Sequence, residues 1–186
     1  RSISVIGNVI DAFPACITVN GITAKLVENN FNADITLAEG WNTVTVKAWD
    51  GAGNGSQKEI RVLVDTEPPL PFEVTADPGD WTSNTRPILT FSTTDATSGV
   101  SHYLASIDGG DFTKVTSPYQ LPAQADGEHT IVIKAVDKAG WETESTVKVF
   151  IDTTPPVKVS GFKAIPGDNK VIVKWEQNSE TDVVKY

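Results

Sequence analysis

One stretch of this chain is written twice. Shifting the sequence by 87 positions, the separation of Asp137 from Asp50, lays positions 38–69 on positions 125–156 without a gap. Gly40, Thr43, Lys47, Ala48, Asp50, Gly53, Asp65, Pro68 and Pro69 each meet an identical residue. Aliphatic strand positions exchange for apolar ones, Val44 for Ile131, Val46 for Ile133, Ile60 for Val147 and Leu63 for Phe150. A repeat of this length is one supersecondary unit used in an array, so the fold has to be one that a chain can reuse.

The repeated unit reads as a β-hairpin. In Thr43-Val44-Thr45-Val46-Lys47-Ala48, the residues Val44, Val46 and Ala48 fall on one face and Thr43, Thr45 and Lys47 on the other. Successive strand side chains point to opposite faces, so the first set packs inward and the second meets water. Ile60-Arg61-Val62-Leu63-Val64 is a second such run, and Asp50-Gly51-Ala52-Gly53-Asn54-Gly55 between them is turn chemistry. Similar short runs fill the rest of the chain, including Ser2-Ile3-Ser4-Val5-Ile6-Gly7 and Ala15-Cys16-Ile17-Thr18-Val19. Separated by Gly, Pro, Asn and Asp clusters, and with no helical pattern, they predict an all-β fold of tandem immunoglobulin-like β-sandwiches.

Each copy of the hairpin ends in Asp65-Thr66-Glu67-Pro68-Pro69 or Asp152-Thr153-Thr154-Pro155-Pro156. Paired prolines fix φ and hold the preceding residue extended, so these segments are expected to be short, semi-rigid linkers. They divide the chain into residues 1–66, 67–153 and 154–186. The last piece is too short to bury a core alone. Its runs Val157-Lys158-Val159-Ser160-Gly161-Phe162 and Val171-Ile172-Val173-Lys174-Trp175 are expected to be the opening strands of a third sandwich. The chain thus reads as a window onto a longer array, cut within a module at both ends.

Composition narrows the partners. The formal net charge is −9 and the sequence pI about 4.6. With no basic stripe, such a surface repels a phosphate backbone, which argues against nucleic acid. No apolar run reaches the ~18–20 residues that cross a bilayer. The one cysteine, Cys16, has no intramolecular disulfide partner and is expected to be a small buried apolar residue. Acidic solubility suits a secreted or cell-surface setting.

The module ends carry the family likeness. Ala38-Glu39-Gly40-Trp41-Asn42-Thr43, Ala48-Trp49-Asp50-Gly51-Ala52-Gly53-Asn54 and Val64-Asp65-Thr66-Glu67-Pro68-Pro69 resemble a bacterial Ig-like domain, as does the preceding Asn20-Gly21 turn. The second module is similar to a related Ig-like type through Asp95-Ala96-Thr97-Ser98-Gly99-Val100, Ile107-Asp108-Gly109-Gly110 and Asp126-Gly127-Glu128-His129-Thr130. It departs at Trp141, where the pattern usually has the asparagine found at Asn54. The tail from Pro155 resembles the start of a fibronectin type III domain, which implies a core role for Trp175 and a third strand entered at Tyr186.

Candidate sites are few. His129 occupies the position of Asn42, so the repeat does not need its chemistry, and His102 is the other histidine. No Ser-His-Asp order, metal-binding histidine pair or phosphate-cradling loop is present, so no catalytic or cofactor site is expected. Asp50 and Asp137 begin turns while Asp65 and Asp152 sit at module exits, where calcium is conceivable. The favoured reading is that Asp50 and Asp137 close turns on their own backbone. Trp49 lies on the solvent face and Trp41, Trp81 and Trp141 in loops, where they either stack on sugars or pack between neighbours, and packing is favoured. The expected function is a non-catalytic spacer or stalk in a large bacterial exported protein, touching neighbouring domains of its own polypeptide. The alternatives are adhesion through a glycan or protein ligand, or an accessory region of a carbohydrate-active enzyme or, by family likeness, of a YD-repeat toxin.

Overall fold

The structure is a computed structural model that describes residues 1–11 and 14–177. All its regular elements are strands; among the described residues there is no helix. The first six are β1 (Ser2–Asn8), β2 (Pro14–Val19), β3 (Ile22–Thr23), β4 (Lys25–Val27), β5 (Asn30–Thr36) and β6 (Gly40–Asp50). They are followed by β7 (Gly55–Val64), β8 (Val74–Asp77), β9 (Ile88–Phe91), β10 (Val100–Ile107) and β11 (Thr113–Val115). The rest are β12 (Tyr119–Gln120), β13 (Gly127–Asp137), β14 (Glu142–Ile151), β15 (Ser160–Gly167) and β16 (Lys170–Glu176).

The first sandwich packs sheet β1-β5-β4 on sheet β3-β2-β6-β7. Ile17 and Val19 of β2, Ala33 and Ile35 of β5, Val44 of β6 and Val64 of β7 make one core between the two layers. The second packs β12-β9-β8 on β11-β10-β13-β14, around Leu89, Phe91, Leu121, Ile131, Ile133 and Val149. Fully burying such a side chain stabilises a sandwich by about 1.5–3 kcal/mol, which is why alternation alone suffices to choose the inward face. Val44 is buried and Val46 and Ala48 pack against the same core, as the alternation requires.

The repeat governs register as well as sequence. Pairing of β6 with β7 runs from Gly40↔Val64 to Trp49↔Gly55, and that of β13 with β14 from Gly127↔Ile151 to Val136↔Glu142. Every pair in one hairpin has its counterpart in the other at the same offset. Both turns place glycine at positive φ, Gly53 at 88° and Gly140 at 93°, where a Cβ would be strained. The Asn20-Gly21 turn joins β2 to β3 through two residues at positive φ, the geometry that matches strand twist in a tight hairpin.

Three expectations are corrected. Trp41 belongs to β6 rather than to a loop, because pairing extends back to Gly40. Cys16 is only half-buried, because Ile17 and Val19 take the inward positions of β2 and leave Cys16 on the other face. The strand expected over residues 157–162 begins instead at Ser160 and runs to Gly167, pairing with β16 in an isolated hairpin. Phe162, Val173 and Trp175 of that hairpin are exposed. Tyr186 lies outside the described residues.

Candidate functional site

The exit of the first sandwich is fastened on both sides. Behind it, the Glu39 carboxylate accepts from Thr66 N (3.2 Å) and Thr66 Oγ1 (2.7 Å). The same device recurs at the offset position, where Asp126 accepts from Thr153 N (3.0 Å) and Thr153 Oγ1 (2.7 Å). Asp65 Oδ1 accepts from Glu67 N and Asp152 Oδ1 from Thr154 N, so each exit aspartate also braces its own linker. Hydrogen bonds from Thr153 and Thr154 hold the Asp126 carboxyl below its ordinary value.

Ahead of it, the linker is tied to the second sandwich. Trp141 Nε1 donates to the Asp65 carbonyl at 3.0 Å and Ser98 N to Asp65 Oδ2 at 3.1 Å. Thr143 Oγ1 donates to the carbonyl of the fully buried Pro69 at 2.5 Å. Leu70 is then held by Thr94 O and by Thr93 Oγ1. Only Thr66, Glu67 and Pro68 lie between the cross-junction anchors at Asp65 and Pro69, so the proline pair is pinned as well as stiff.

Three carboxylates converge here: Asp65 from the exit of β7, Asp95 from the loop before β10, and Asp137 from the β13–β14 turn. Asp65 is 6% exposed and Asp137 2%. One carboxylate oxygen from each lies within 4.8 Å of the others. Asp137 Oδ1 accepts from the N–H groups of Ala139, Gly140 and Trp141, at 2.7, 2.6 and 2.9 Å. Asp95 Oδ1 does the same for Thr97, Ser98 and Gly99, at 3.1, 2.8 and 2.7 Å. Burial alone would raise the Asp95 pKa, but these N–H donors together outweigh it and hold the carboxyl below its ordinary value. Asp50 and Asp152, the other aspartates singled out from sequence, lie away from this cluster. Asp95 carries no ligand signal in sequence, since Asp95-Ala96-Thr97-Ser98-Gly99 is an aspartate-led turn and nothing in local sequence says which loop faces a neighbour's exit.

The tryptophans are scattered rather than gathered on one platform. Trp41 is 62% exposed with the Arg61 guanidinium 4.6 Å from its ring centre, and its counterpart pair in the second hairpin is the Glu128–Lys148 ion pair. Trp81 is 60% exposed and leans on Phe150 with ring centres 5.3 Å apart. Trp49 covers Gly55, where an added Cβ would meet its ring at 2.8 Å. Trp41 and Trp49 share a strand face but stand about 26 Å apart at ~3.3 Å per residue. Trp141 alone among the four bonds across the junction.

His129 takes over the work of Asn42. Asn42 Nδ2 donates to Ala38 O at 2.8 Å, and His129 Nε2 meets Ala125 O, the offset equivalent, at 2.9 Å. His129 Nδ1 also meets Asp108 Oδ2 at 2.7 Å, and that contact, then the Ala125 carbonyl, raises the histidine pKa. His102 touches Ser101 Oγ.

The chain is therefore an all-β protein built of antiparallel β-sandwiches. A family described as glucodextranase, domain B, matches residues 1–66. No curated protein matches. Among solved structures, the chain is similar to the fibronectin(III)-like modules of CbhA from Clostridium thermocellum, at 18% identity and TM-score 0.48, over 82% of this chain and 86% of that one. A weaker likeness, at 14% identity and TM-score 0.25, is to SGBP-B of the Bacteroides ovatus mixed-linkage glucan utilization locus, in complex with a mixed-linkage heptasaccharide. It covers 89% of this chain and 44% of that one.

Proposed function

We propose that residues 1–66 and 67–153 are non-catalytic modules of a bacterial extracellular protein, and that their work is to hold a fixed spacing and angle between the parts they connect. The observation that carries this reading is the fastened junction: Asp65, Pro69, Trp141 and Thr143 leave only three linker residues free of cross-module anchors. A spacer with a flexible joint transmits neither direction nor reach, whereas a hydrogen-bonded one does both. Nitrogen-15 relaxation on the chain tests it. Both sandwiches should share one rotational correlation time, and Trp141→Ala with Thr143→Val should let them tumble separately. Independent tumbling in the unaltered protein would end the spacer reading.

A glycan-binding role is the second reading, favoured by the exposed rings of Trp41 and Trp81. One ring face of each is already engaged by Arg61 or Phe150, which leaves isolated stacking positions. Titration with mixed-linkage and α-linked glucans, followed by tryptophan fluorescence, should leave the spectrum unchanged if the modules are spacers alone. A saturable quench lost in Trp41→Ala would favour the glycan role.

A further inference from the structure

We infer that Asp65, Asp95 and Asp137 hold a calcium ion between the first and second sandwiches. One carboxylate oxygen of each lies within 4.8 Å of the other two, close enough for all three to reach a single ion with Ca–O bonds of ~2.4 Å.

A second observation points the same way. Asp137 is 2% exposed, and its Oδ1 already serves three N–H donors, yet its Oδ2 is buried with no hydrogen-bond partner. The Ser98 N–H beside it bridges Asp65 and Asp95. Native proteins rarely leave a buried carboxylate oxygen unsatisfied. None of the three aspartates forms an ion pair with a described lysine, arginine or histidine. Three like charges drawn together in a partly dry crevice repel unless a counter-charge sits among them. Oxygen-only, anionic ligands select a hard divalent cation, and carbonyls and water complete its six to eight positions. Each sandwich supplies ligands, so binding would lock the joint. The ion would sit there whether or not the modules serve as a spacer.

Terbium luminescence provides the direct test, because the Trp141 backbone and indole both touch the cluster and can sensitise a bound lanthanide. Terbium added to the chelator-treated chain should emit on tryptophan excitation, and calcium should quench the emission by displacement. Saturating calcium should raise the unfolding midpoint by about 5–10 °C over chelator. Asp137→Asn and Asp95→Asn should each weaken binding by about 10-fold or more, since affinity follows ligand charge. Asp152→Asn, at the equivalent exit outside the cluster, should bind as the parent does. Asp95→Asn keeps the Oδ1 acceptor for its loop, so it remains informative if Asp137→Asn does not fold. Absent emission with superimposable melting curves would overturn the inference, as would equal weakening by Asp152→Asn. So would a joint neutralised instead by Lys138, whose ammonium lies beside Gly99: Lys138→Gln would then destabilise the chain while calcium did nothing.

Discussion

At Asp50 the turn carboxylate is used up within its own loop. Oδ1 accepts from Ala52 N and Asn54 N, and Oδ2 from Asn54 Nδ2 at 2.7 Å. At Asp137, offset by 87 positions, Oδ1 makes the equivalent backbone contacts, but the residue in the place of Asn54 is Trp141. An indole has no amide to offer, so it reaches across to the Asp65 carbonyl and leaves Asp137 Oδ2 unserved. One substitution in a repeated turn has thus turned a self-contained loop into a joint. The lesson is that repeats preserve the hydrogen bonds that make the module and vary those that meet a neighbour.

The largest effect expected from breaking this comparison lies in the cores. Ile133 is fully buried, whereas its counterpart Val46 is half-buried. Ile133→Ala should cost about 2–5 kcal/mol in denaturant unfolding of the second sandwich, and Val46→Ala distinctly less in the first. Equal costs would mean that the two copies are packed alike.

Next come the turns themselves. Trp141→Asn should rebuild the Asp50 arrangement, giving Asp137 Oδ2 a side-chain donor and freeing the Asp65 carbonyl. Terbium emission should vanish with its sensitiser, and calcium affinity measured by calorimetry should fall. The converse variant, Asn54→Ala, acts through protonation. Asn54 is the main reason the Asp50 carboxyl titrates below its ordinary value of 3.8, ahead of the backbone N–H groups. A depressed carboxyl contributes stability above its unfolded pKa and loses it as pH falls through the folded value. Asn54→Ala should therefore move the Asp50 carbon-13 titration upward and shrink that acid-side contribution.

The smallest effect belongs to His129. Its pKa is raised, first by Asp108 and then by the Ala125 carbonyl, above the ordinary 6.5. The contribution is complete below the unfolded pKa and fades as pH rises through the raised folded value. His129→Asn should keep the contact shared with Asn42 and flatten this slope on the alkaline side of the ordinary histidine value of 6.5. A slope that survived the substitution would place its origin elsewhere.

Much of this was legible in residues alone. Alternation in residues 43–48 and 60–64 determined the inward faces, and the glycine-rich turn determined the hairpin, because both depend on neighbours along the chain. The exact offset carried these to the second copy, down to register. Strand ends were less legible: Trp41 and residues 157–159 were misplaced because pairing extends or stops according to a partner strand. The acidic cluster was not legible at all. Sequence marked Asp65 and Asp137 as an exit and a turn, each explicable by its own backbone. Only the tertiary structure decides that the exit of one sandwich abuts two turns of the next, because that meeting joins Asp65, Asp95 and Asp137 across distances in the chain over which local hydrogen bonding carries no information.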